Sequence, residues 1–256
     1  MRNLSNIFKK KALLRGVSMI SALALVFTGN VIPEGKADAD AATVVEIRTA
    51  DELRKVGASL DATYILMNDI DLSDTVYGGA HTNEGGWVPL DNFNGTFDGN
   101  GYTIKNLNIY ANANLEEYEE YNLALFKSID RDAIVKNLNI QVNISKASSF
   151  DDKFGAIAGF NNGHIENCHV SGEIACNLTA DQLTNPDYDF DDVTDSERVR
   201  IGGVAARNQG TIKNCYSNIN ITTNNPAAYV GGITGGNAGG DSYDSYNTGK
   251  ISADNT

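Results

Sequence analysis

Paired carboxylates are the first residues of this chain that could do chemistry. Asp69 and Asp71 stand two apart in residues 63–71, a run that we predict to be one strand, so both side chains would lie on one face. Two carboxylates in such an arrangement can serve as acid and base in glycoside hydrolysis. A lyase would also need a basic residue beside them, and no such companion is visible in the repeat strands. We therefore predict a structural role for the pair and keep polysaccharide cleavage as the alternative.

A second acidic cluster lies in a segment without periodicity, residues 179–198. Its members are Asp187, Asp189, Asp191, Asp192, Asp195 and Glu197. The first three have the alternate spacing of a calcium loop, and calcium prefers oxygen ligands. An EF-hand would need Gly at the sixth position and Glu at the twelfth, where this chain has Asp192 and Arg198. We predict a solvated, exposed loop, with calcium bound between Asp187 and Asp195 as the alternative.

Histidine and cysteine also occur close together, at His164, Cys168 and His169. Neighbouring residues of a strand point to opposite faces, so Cys168 and His169 should diverge rather than share a metal ion. Cys168 and Cys215 hold the same position in two repeats, and we predict buried free thiols there, while the state of Cys176 stays open. Strands about 4.8 Å apart would also permit a disulfide, so that alternative stays open.

Aromatic residues offer one more kind of site, a platform for sugars. Trp87, Tyr77 and Tyr110 could form it if exposed, although core or ladder positions are the usual place for aromatics in a stacked fold. The chain has no His-Glu-x-x-His zinc motif. We accordingly predict no catalytic residue, no cofactor-binding residue and no metal ligand.

The elements that must position these residues are repeats. Residues 155–174 read GAIAGFNNGHIENCHVSGEI, residues 202–221 read GGVAARNQGTIKNCYSNINI, and residues 231–251 read GGITGGNAGGDSYDSYNTGKI. A worn copy precedes them, which gives four repeats at about 123–144, 155–176, 202–223 and 231–252. Repeats of this size indicate a stack in which each unit covers its neighbour.

Short strands, Asn- and Gly-rich turns and the lack of helices between strands predict an all-β fold, a right-handed parallel β-helix. Asn137, Asn167 and Asn214 share one repeat position, where we predict left-handed backbone and an internal amide ladder at a corner of the stack. The recurring glycines predict either close approach between neighbouring units or sharp bends of the chain. At the N-terminus, Thr49 and Glu52 form a capping-box pattern, followed by Leu53, Val56 and Leu60 on one face, which predicts a short helix capping the stack.

The first 39 residues predict a secretory signal peptide, with a basic start, an apolar stretch and Ala-x-Ala sites ending at Ala39 and Ala41. An uncleaved membrane anchor is the alternative. We assign residues 40–62 to the N-terminal strand and helix, and 63–256 to the β-helix. Cleavage removes six of 20 Lys and Arg and two of 33 Asp and Glu, which leaves 14 basic and 31 acidic residues and a formal charge of −17. Such a charge disfavours nucleic acid and anionic membranes.

The repeat residues, Gly-Gly-Ile-Thr-Gly from Gly231 and the run Asn-x-Gly-Thr-Ile-Lys-Asn-Cys-Tyr-Ser ending at Ser217, resemble the GLUG repeat. The resemblance extends from Thr63 to the end of the chain. It implies a bacterial secreted or surface protein, because GLUG repeats occur in such proteins. These include the non-catalytic regions of immunoglobulin-A-protease-type metallopeptidases. It brings no catalytic residues.

We therefore predict a non-enzymatic adhesive, binding or spacer module that contacts host glycoprotein or polysaccharide and is secreted or attached to the cell surface. The alternatives are a polysaccharide-active β-helix enzyme, either lyase or glycoside hydrolase, and the N-terminal region of a larger secreted protease. The oligomeric state stays open.

Overall fold

The computed structural model of the protein describes residues 43–57, 62–73, 86–111, 122–148, 150–185 and 189–253, without the side chains of residues 110 and 111. The predicted signal peptide and Leu60, Tyr77 and Asp187 lie outside these ranges. The described residues belong to one compact unit, Ala41–Thr256. Among them, no helix has both the length and the apolar composition that a bilayer span requires.

The fold is all-β and consists of four sheets whose strands pair in parallel. Strands are numbered in chain order. Sheet A contains β1 (Val44–Ile47), β2 (Thr63–Leu66), β4 (Thr96–Asp98), β8 (Ile134–Lys136), β12 (His164–Glu166), β16 (Thr211–Lys213) and β20 (Asp241–Tyr243). Sheet B contains β3 (Ile70–Asp71), β5 (Thr103–Ala111), β9 (Asn139–Lys146), β13 (His169–Cys176), β17 (Tyr216–Thr223), β21 (Tyr246–Asn247) and β22 (Ile251–Ala253).

The two smaller sheets take one strand from each repeat. Sheet C contains β7 (Phe126–Ile129), β11 (Ala158–Asn161), β15 (Ala205–Asn208) and β19 (Thr234–Asn237). Sheet D contains β6 (Asn122–Leu123), β10 (Lys153–Gly155), β14 (Arg200–Gly202) and β18 (Tyr229–Gly231). Two short helices, α1 (Ala50–Leu53) and α2 (Ala180–Thr184), and a 3-10 turn at Asp195–Glu197 complete the described elements.

Strand registers pair the same residues that repeat in the sequence. Gly155 lies opposite Gly202, which lies opposite Gly231. In sheet B, Ile174 and Ile221 are register partners in the same way. Each repeat therefore adds one strand to every sheet, except that the last repeat adds two short strands, β21 and β22, to sheet B.

The recurring glycine is explained by both predicted alternatives, a tight bend within its own repeat and close approach of the next repeat. A Cβ atom on Gly202 would collide with the carbonyl oxygen of Ala205, and it would lie 2.8 Å from the backbone nitrogen of Gly235 in the next repeat. Neither backbone can move without breaking its own sheet, so only glycine fits.

The core is built from the inward residue of each strand. At its N-terminal part four aromatic rings pack together, with the rings of Phe93 and Phe126 4.8 Å apart and those of Phe97 and Phe126 5.7 Å apart. Toward the C-terminus, Ile, Val and Ala replace the aromatics, and most of them are fully buried.

The predicted asparagine ladder is present, but it lies at the surface and is not internal, since Asn167 and Asn214 are exposed. Asn137, Asn167 and Asn214 all have positive φ, between 52° and 54°. The amide of Asn214 donates to Oδ1 of Asn167 at 3.3 Å, and the amide of Asn167 donates to Asn137 at 3.5 Å. A second ladder was not predicted. It joins the buried amides of Asn161 and Asn208 and then reaches Asn237.

Three local predictions need correction. The capping box of Thr49 and Glu52 is present, but α1 spans a single turn and is no amphipathic helix. Residues 63–71 form two strands in different sheets, because the chain bends at Asn68, whose amide donates to the carbonyl oxygens of Arg48 and Asp69. The acidic segment 179–198 contains local structure, α2 with its Thr179 cap and the 3-10 turn, which its lack of periodicity did not indicate.

Candidate functional site

The two candidate carboxylates lie at the start of sheet B, and both are exposed. Asp69 precedes β3, whereas Asp71 ends it, so they are not two residues of one strand as predicted. Lys105 of β5 places its Nζ 2.6 Å from Oδ2 of Asp69. The next residue, Asn106, donates to Oδ1 of Asp71 at 2.8 Å. The basic companion that the sequence did not reveal is therefore present.

The protonation states of this cluster do not suit acid–base catalysis. The hydrogen bond from Lys105 lowers the pKa of Asp69, and that from Asn106 lowers the pKa of Asp71. The same ion pair raises the pKa of Lys105. A general acid needs a raised carboxyl pKa, and a lysine base needs a lowered one. Each of the three groups is instead stabilised in its charged form, which fits a structural clamp between β3 and β5.

The acidic segment is held against sheet D by a buried cation. Arg200 is 2% exposed, and its guanidinium lies 3.0 Å from a carboxylate oxygen of Asp195. The strand register sets Lys153 directly opposite Arg200, and Lys153 is itself buried and pairs with Asp151 at 2.9 Å. The positive charges of Lys153 and Arg200 are neighbours and would repel each other. The carboxylates of Asp151 and Asp195 are therefore needed to compensate them.

The ion pair between Arg200 and Asp195 changes the interpretation of residues 179–198 as a calcium loop. Asp195 is engaged by Arg200, and Oδ1 of Asp189 accepts hydrogen bonds from the backbone of Asp191 and Asp192. Over the ranges that the structure describes, no three His, Cys, Asp or Glu side chains converge as metal ligands would. Asp187 lies outside those ranges, so calcium binding there stays a prediction.

The histidines and cysteines are dispersed in the way that strand alternation predicts. Cys168 is buried, His164 is exposed, and the ring of His169 stacks on that of Tyr216 at 4.6 Å. All three cysteines are buried free thiols. Burial raises the pKa of Cys176 to about 12 and raises the pKa of Cys168 strongly. The hydrogen bond from Cys168 lowers the pKa of Cys215. Cys168 and Cys176 are therefore protonated at neutral pH, which makes these two thiols poor nucleophiles and ligands.

Trp87 is no part of a sugar platform. Its side chain is 3% exposed, and its indole Nε1 donates to the carbonyl oxygen of Leu125 at 3.2 Å, while the guanidinium of Arg54 covers the ring. Aromatic residues do form a surface row elsewhere, on sheet B. His169, Tyr216 and Tyr246 are register partners with rings 4.6 and 4.8 Å apart. Stacked in this way, they turn their faces to one another.

Sheet A carries a row of charges that alternate in sign. The register aligns Asp98 with Lys136, Lys136 with Glu166, and Glu166 with Lys213. Lys136 and Asp98 are 3.6 Å apart, and at the end of the row Lys213 lies over the ring of Tyr243. Opposite charges on neighbouring strands stabilise the pairing.

Sheet B presents a different surface, which we name the amide–hydroxyl face. It consists of the outward residues of β9, β13 and β17, namely Asn139, Gln141, Asn143, Ser145, His169, Ser171, Glu173, Ala175, Tyr216, Asn218, Asn220 and Thr222. Eight of these twelve are amides or alcohols, and Glu173 is the only acidic or basic side chain among them apart from the histidine. In the sequence, each of the three strands shows only an alternation of apolar and polar residues. That the outward residues form one face of amides and hydroxyls follows from the register of the strands.

Comparison with known proteins gives limited similarity. No protein-family model matches the chain. Halomucin of Haloquadratum walsbyi is 29% identical over 165 residues, which are 61% of this chain and 2% of halomucin. The chain thus spans a small fraction of that relative's length. The resemblance to GLUG repeats stays a prediction.

One solved structure is similar, that of a candidate immunoglobulin A1 protease from Bacteroides ovatus. The alignment covers 83% of each chain at 17% identity, with a TM-score of 0.40. A likeness at this score assigns neither fold nor function to the present chain.

Proposed function

We propose that this protein is a non-enzymatic, secreted or surface-displayed binding module, built as a right-handed parallel β-helix with GLUG-like repeats. The observation that carries the proposal is the register of the four sheets, in which every repeat adds at least one strand to each sheet. Crossovers between parallel strands are nearly always right-handed, which supports the hand of the helix. In such a stack α1 would shield the first strands at one end.

Exposed side chains of the described part support binding over catalysis. The carboxylates of Asp69 and Asp71 are held ionised by hydrogen bonds, and the surfaces of sheets A and B consist of regular polar rows. The similarity to halomucin supports an extracellular setting. Host glycoprotein or polysaccharide would be the partner, and the module would reach it as a rigid stalk.

A second candidate, polysaccharide cleavage, is favoured by one observation, the contact of Lys105 with Asp69 beside Asp71. A lysine next to two carboxylates is the companion that a lyase would require. In this reading Lys105 would have to lose its proton when the substrate binds, against the stabilisation that Asp69 gives to the charged form.

One experiment separates these functions. The exported, processed chain is incubated with immobilised polysaccharides and glycoproteins, with calcium and with a chelator, and both retention and released reducing or unsaturated ends are measured. Retention without release supports the binding module. Release that disappears in Lys105→Met but persists in the control Lys55→Met, an exposed lysine outside the cluster, would establish the enzyme. Loss of retention with chelator would assign calcium to the acidic segment.

A further inference from the structure

We propose that the amide–hydroxyl face of sheet B is the contact surface for a neutral, linear polysaccharide, whose chain lies across β9, β13 and β17. The proposal rests on the proposed function and names the surface and the ligand class.

Charge distribution is the first argument. The chain carries a formal net charge of −13, and 21% of its residues are charged. On the amide–hydroxyl face, Glu173 is the one carboxylate among twelve outward residues. Sheet A, by contrast, sets Asp98, Lys136 and Glu166 side by side on its own outer surface. An anionic polymer would be repelled by the chain as a whole, and a cationic polymer would prefer the acidic segments. A face with a single carboxylate among twelve outward side chains suits a neutral polymer.

Hydrogen-bonding capacity is the second argument. The amide groups of Gln141, Asn218 and Asn220 are exposed, and each offers both donors and acceptors. In the described part of the chain their Nδ2 or Nε2 groups have no protein partner, whereas the oxygens of Asn218 and Asn220 accept from Thr248 and Lys250. Free donors beside engaged acceptors match the hydroxyl oxygens of a sugar chain.

Spacing is the third argument. Gln141, Ser171 and Asn218 lie opposite one another in register, and so do Asn143, Glu173 and Asn220. Neighbouring strands are about 4.8 Å apart, so each row repeats its polar groups at that interval. A linear polysaccharide also repeats its hydroxyl groups at a fixed interval of similar size. A branched or globular ligand would not profit from such rows.

The aromatic row of His169, Tyr216 and Tyr246 lies at the border of this surface and does not provide the main contacts to the polysaccharide. His169 and Tyr216 cover each other's ring faces, so they present edges to solvent and offer no plane on which a sugar could stack. Hydrogen bonds are therefore the main contribution, and the affinity should come from many weak contacts along the chain.

The test uses the full processed chain and a panel of neutral linear glucans, mannans and xylans, with a polyuronate and a sulfated glycan as charged members. The variant Gln141→Ala/Asn218→Ala removes two amides of one row. Its matched control, His164→Ala/Thr211→Ala, removes two outward polar side chains that are register partners on sheet A. Thermal melting verifies that both variants fold like the unmodified chain.

We expect binding to at least one neutral glycan, an affinity about tenfold lower for the amide variant, no change for the control, and no loss between low and high salt. Binding that both variants retain in full would overturn the assignment of the face and leave the binding function intact. Binding confined to the charged glycans, or lost at high salt, would overturn the ligand class. Failure to bind any glycan of this panel would overturn this inference, and failure to bind the immobilised glycoproteins of the preceding experiment as well would contradict the proposed function.

Discussion

The buried side-chain amides of Asn161 and Asn208 are joined across two strands of sheet C, with the Nδ2 of Asn161 donating to Oδ1 of Asn208 at 2.7 Å. Asn208 in turn donates to Oδ1 of Asn237 at 2.9 Å and to the carbonyl oxygen of Asp241 in sheet A at 3.2 Å. Away from water such hydrogen bonds reinforce one another, and each group left without a partner is costly. This ladder therefore links successive repeats and two sheets.

Removing the central amide should destabilise the protein strongly. Asn208→Ala leaves the amide of Asn161 and the carbonyl oxygen of Asp241 without their partner, and we expect the free energy of unfolding to fall by about 2–4 kcal/mol. Urea unfolding followed by the fluorescence of Trp87 measures it. Gln209→Ala, an exposed neighbour, is the control and should change little. A loss below about 1 kcal/mol would mean that the ladder contributes less than its burial suggests.

A methyl group at the recurring glycine should be tolerated poorly. Gly202→Ala would force its Cβ into the carbonyl oxygen of Ala205 and toward the backbone of Gly235. Because both obstacles are backbone, we expect a loss of about 3 kcal/mol or a failure to fold. Soluble yield and thermal melting report it. Thr222→Ala on the outer surface serves as the control, and equal behaviour of the two variants would contradict the close approach.

The clamp at Asp69 predicts a defined pH dependence. Its folded-state pKa lies below the ordinary value of 3.8, so the folded state holds fewer protons than the unfolded state as the pH falls. The stabilisation is complete above about pH 4 and is lost as the pH falls through the folded pKa. Asp69→Asn should therefore have a lower free energy of unfolding at pH 7. Below about pH 4, that free energy should depend less on pH than it does in the unmodified chain. Asp132→Asn, at an exposed position, is the comparison. The same dependence of the free energy of unfolding on pH below about pH 4 in both variants would refute the clamp.

The thiols should be silent in the folded protein. Cys168, Cys176 and Cys215 are all buried, and burial raises the pKa of Cys168 strongly and that of Cys176 to about 12. The hydrogen bond from Cys168 lowers the pKa of Cys215, so for this thiol the expected protection comes from burial alone. We expect no alkylation by iodoacetamide at pH 8 under native conditions and three additions in denaturant, measured by intact mass. Rapid native labelling of any cysteine, or two additions fewer in denaturant, would show an exposed thiol or a disulfide.

The acidic segment should come loose when its buried cation is removed. Arg200→Gln deletes the ion pair with Asp195 and leaves its carboxylate unpaired, so limited proteolysis should cut within residues 189–198 several times faster. Arg131→Gln, an exposed arginine, should leave the cutting rate unchanged. Unchanged proteolysis in Arg200→Gln would assign the attachment of the segment to other contacts.

The parts of the fold that depend on local chemistry could be predicted from the sequence. Asn137, Asn167 and Asn214 were identified because asparagine at a constant repeat position tolerates left-handed backbone, a property of the residue itself. The capping box at Thr49 follows from four consecutive residues. The repeats also placed Cys168 and Cys215 in the core, since both precede an outward residue of a long strand.

The parts that depend on register across irregular sequence could not be predicted. Lys105 meets Asp69 from 36 residues away, in the region before the regular repeats, where no period indicates which strands pair. Asn161 and Asn208 are 47 residues apart, and the acidic segment interrupts the period between them. Likewise, the length of α1 was overestimated because a capping signal marks where a helix begins and not where it ends.

The alternating row on sheet A constrains how this protein can change in length during evolution. The order Asp98, Lys136, Glu166, Lys213 gives each neighbour the opposite sign. Deleting or duplicating a single repeat within this row would bring two like charges together, whereas gaining or losing two repeats would preserve every contact. Recombination between these segments should therefore be accepted more readily when it adds or removes two neighbouring repeats together than when it adds or removes one.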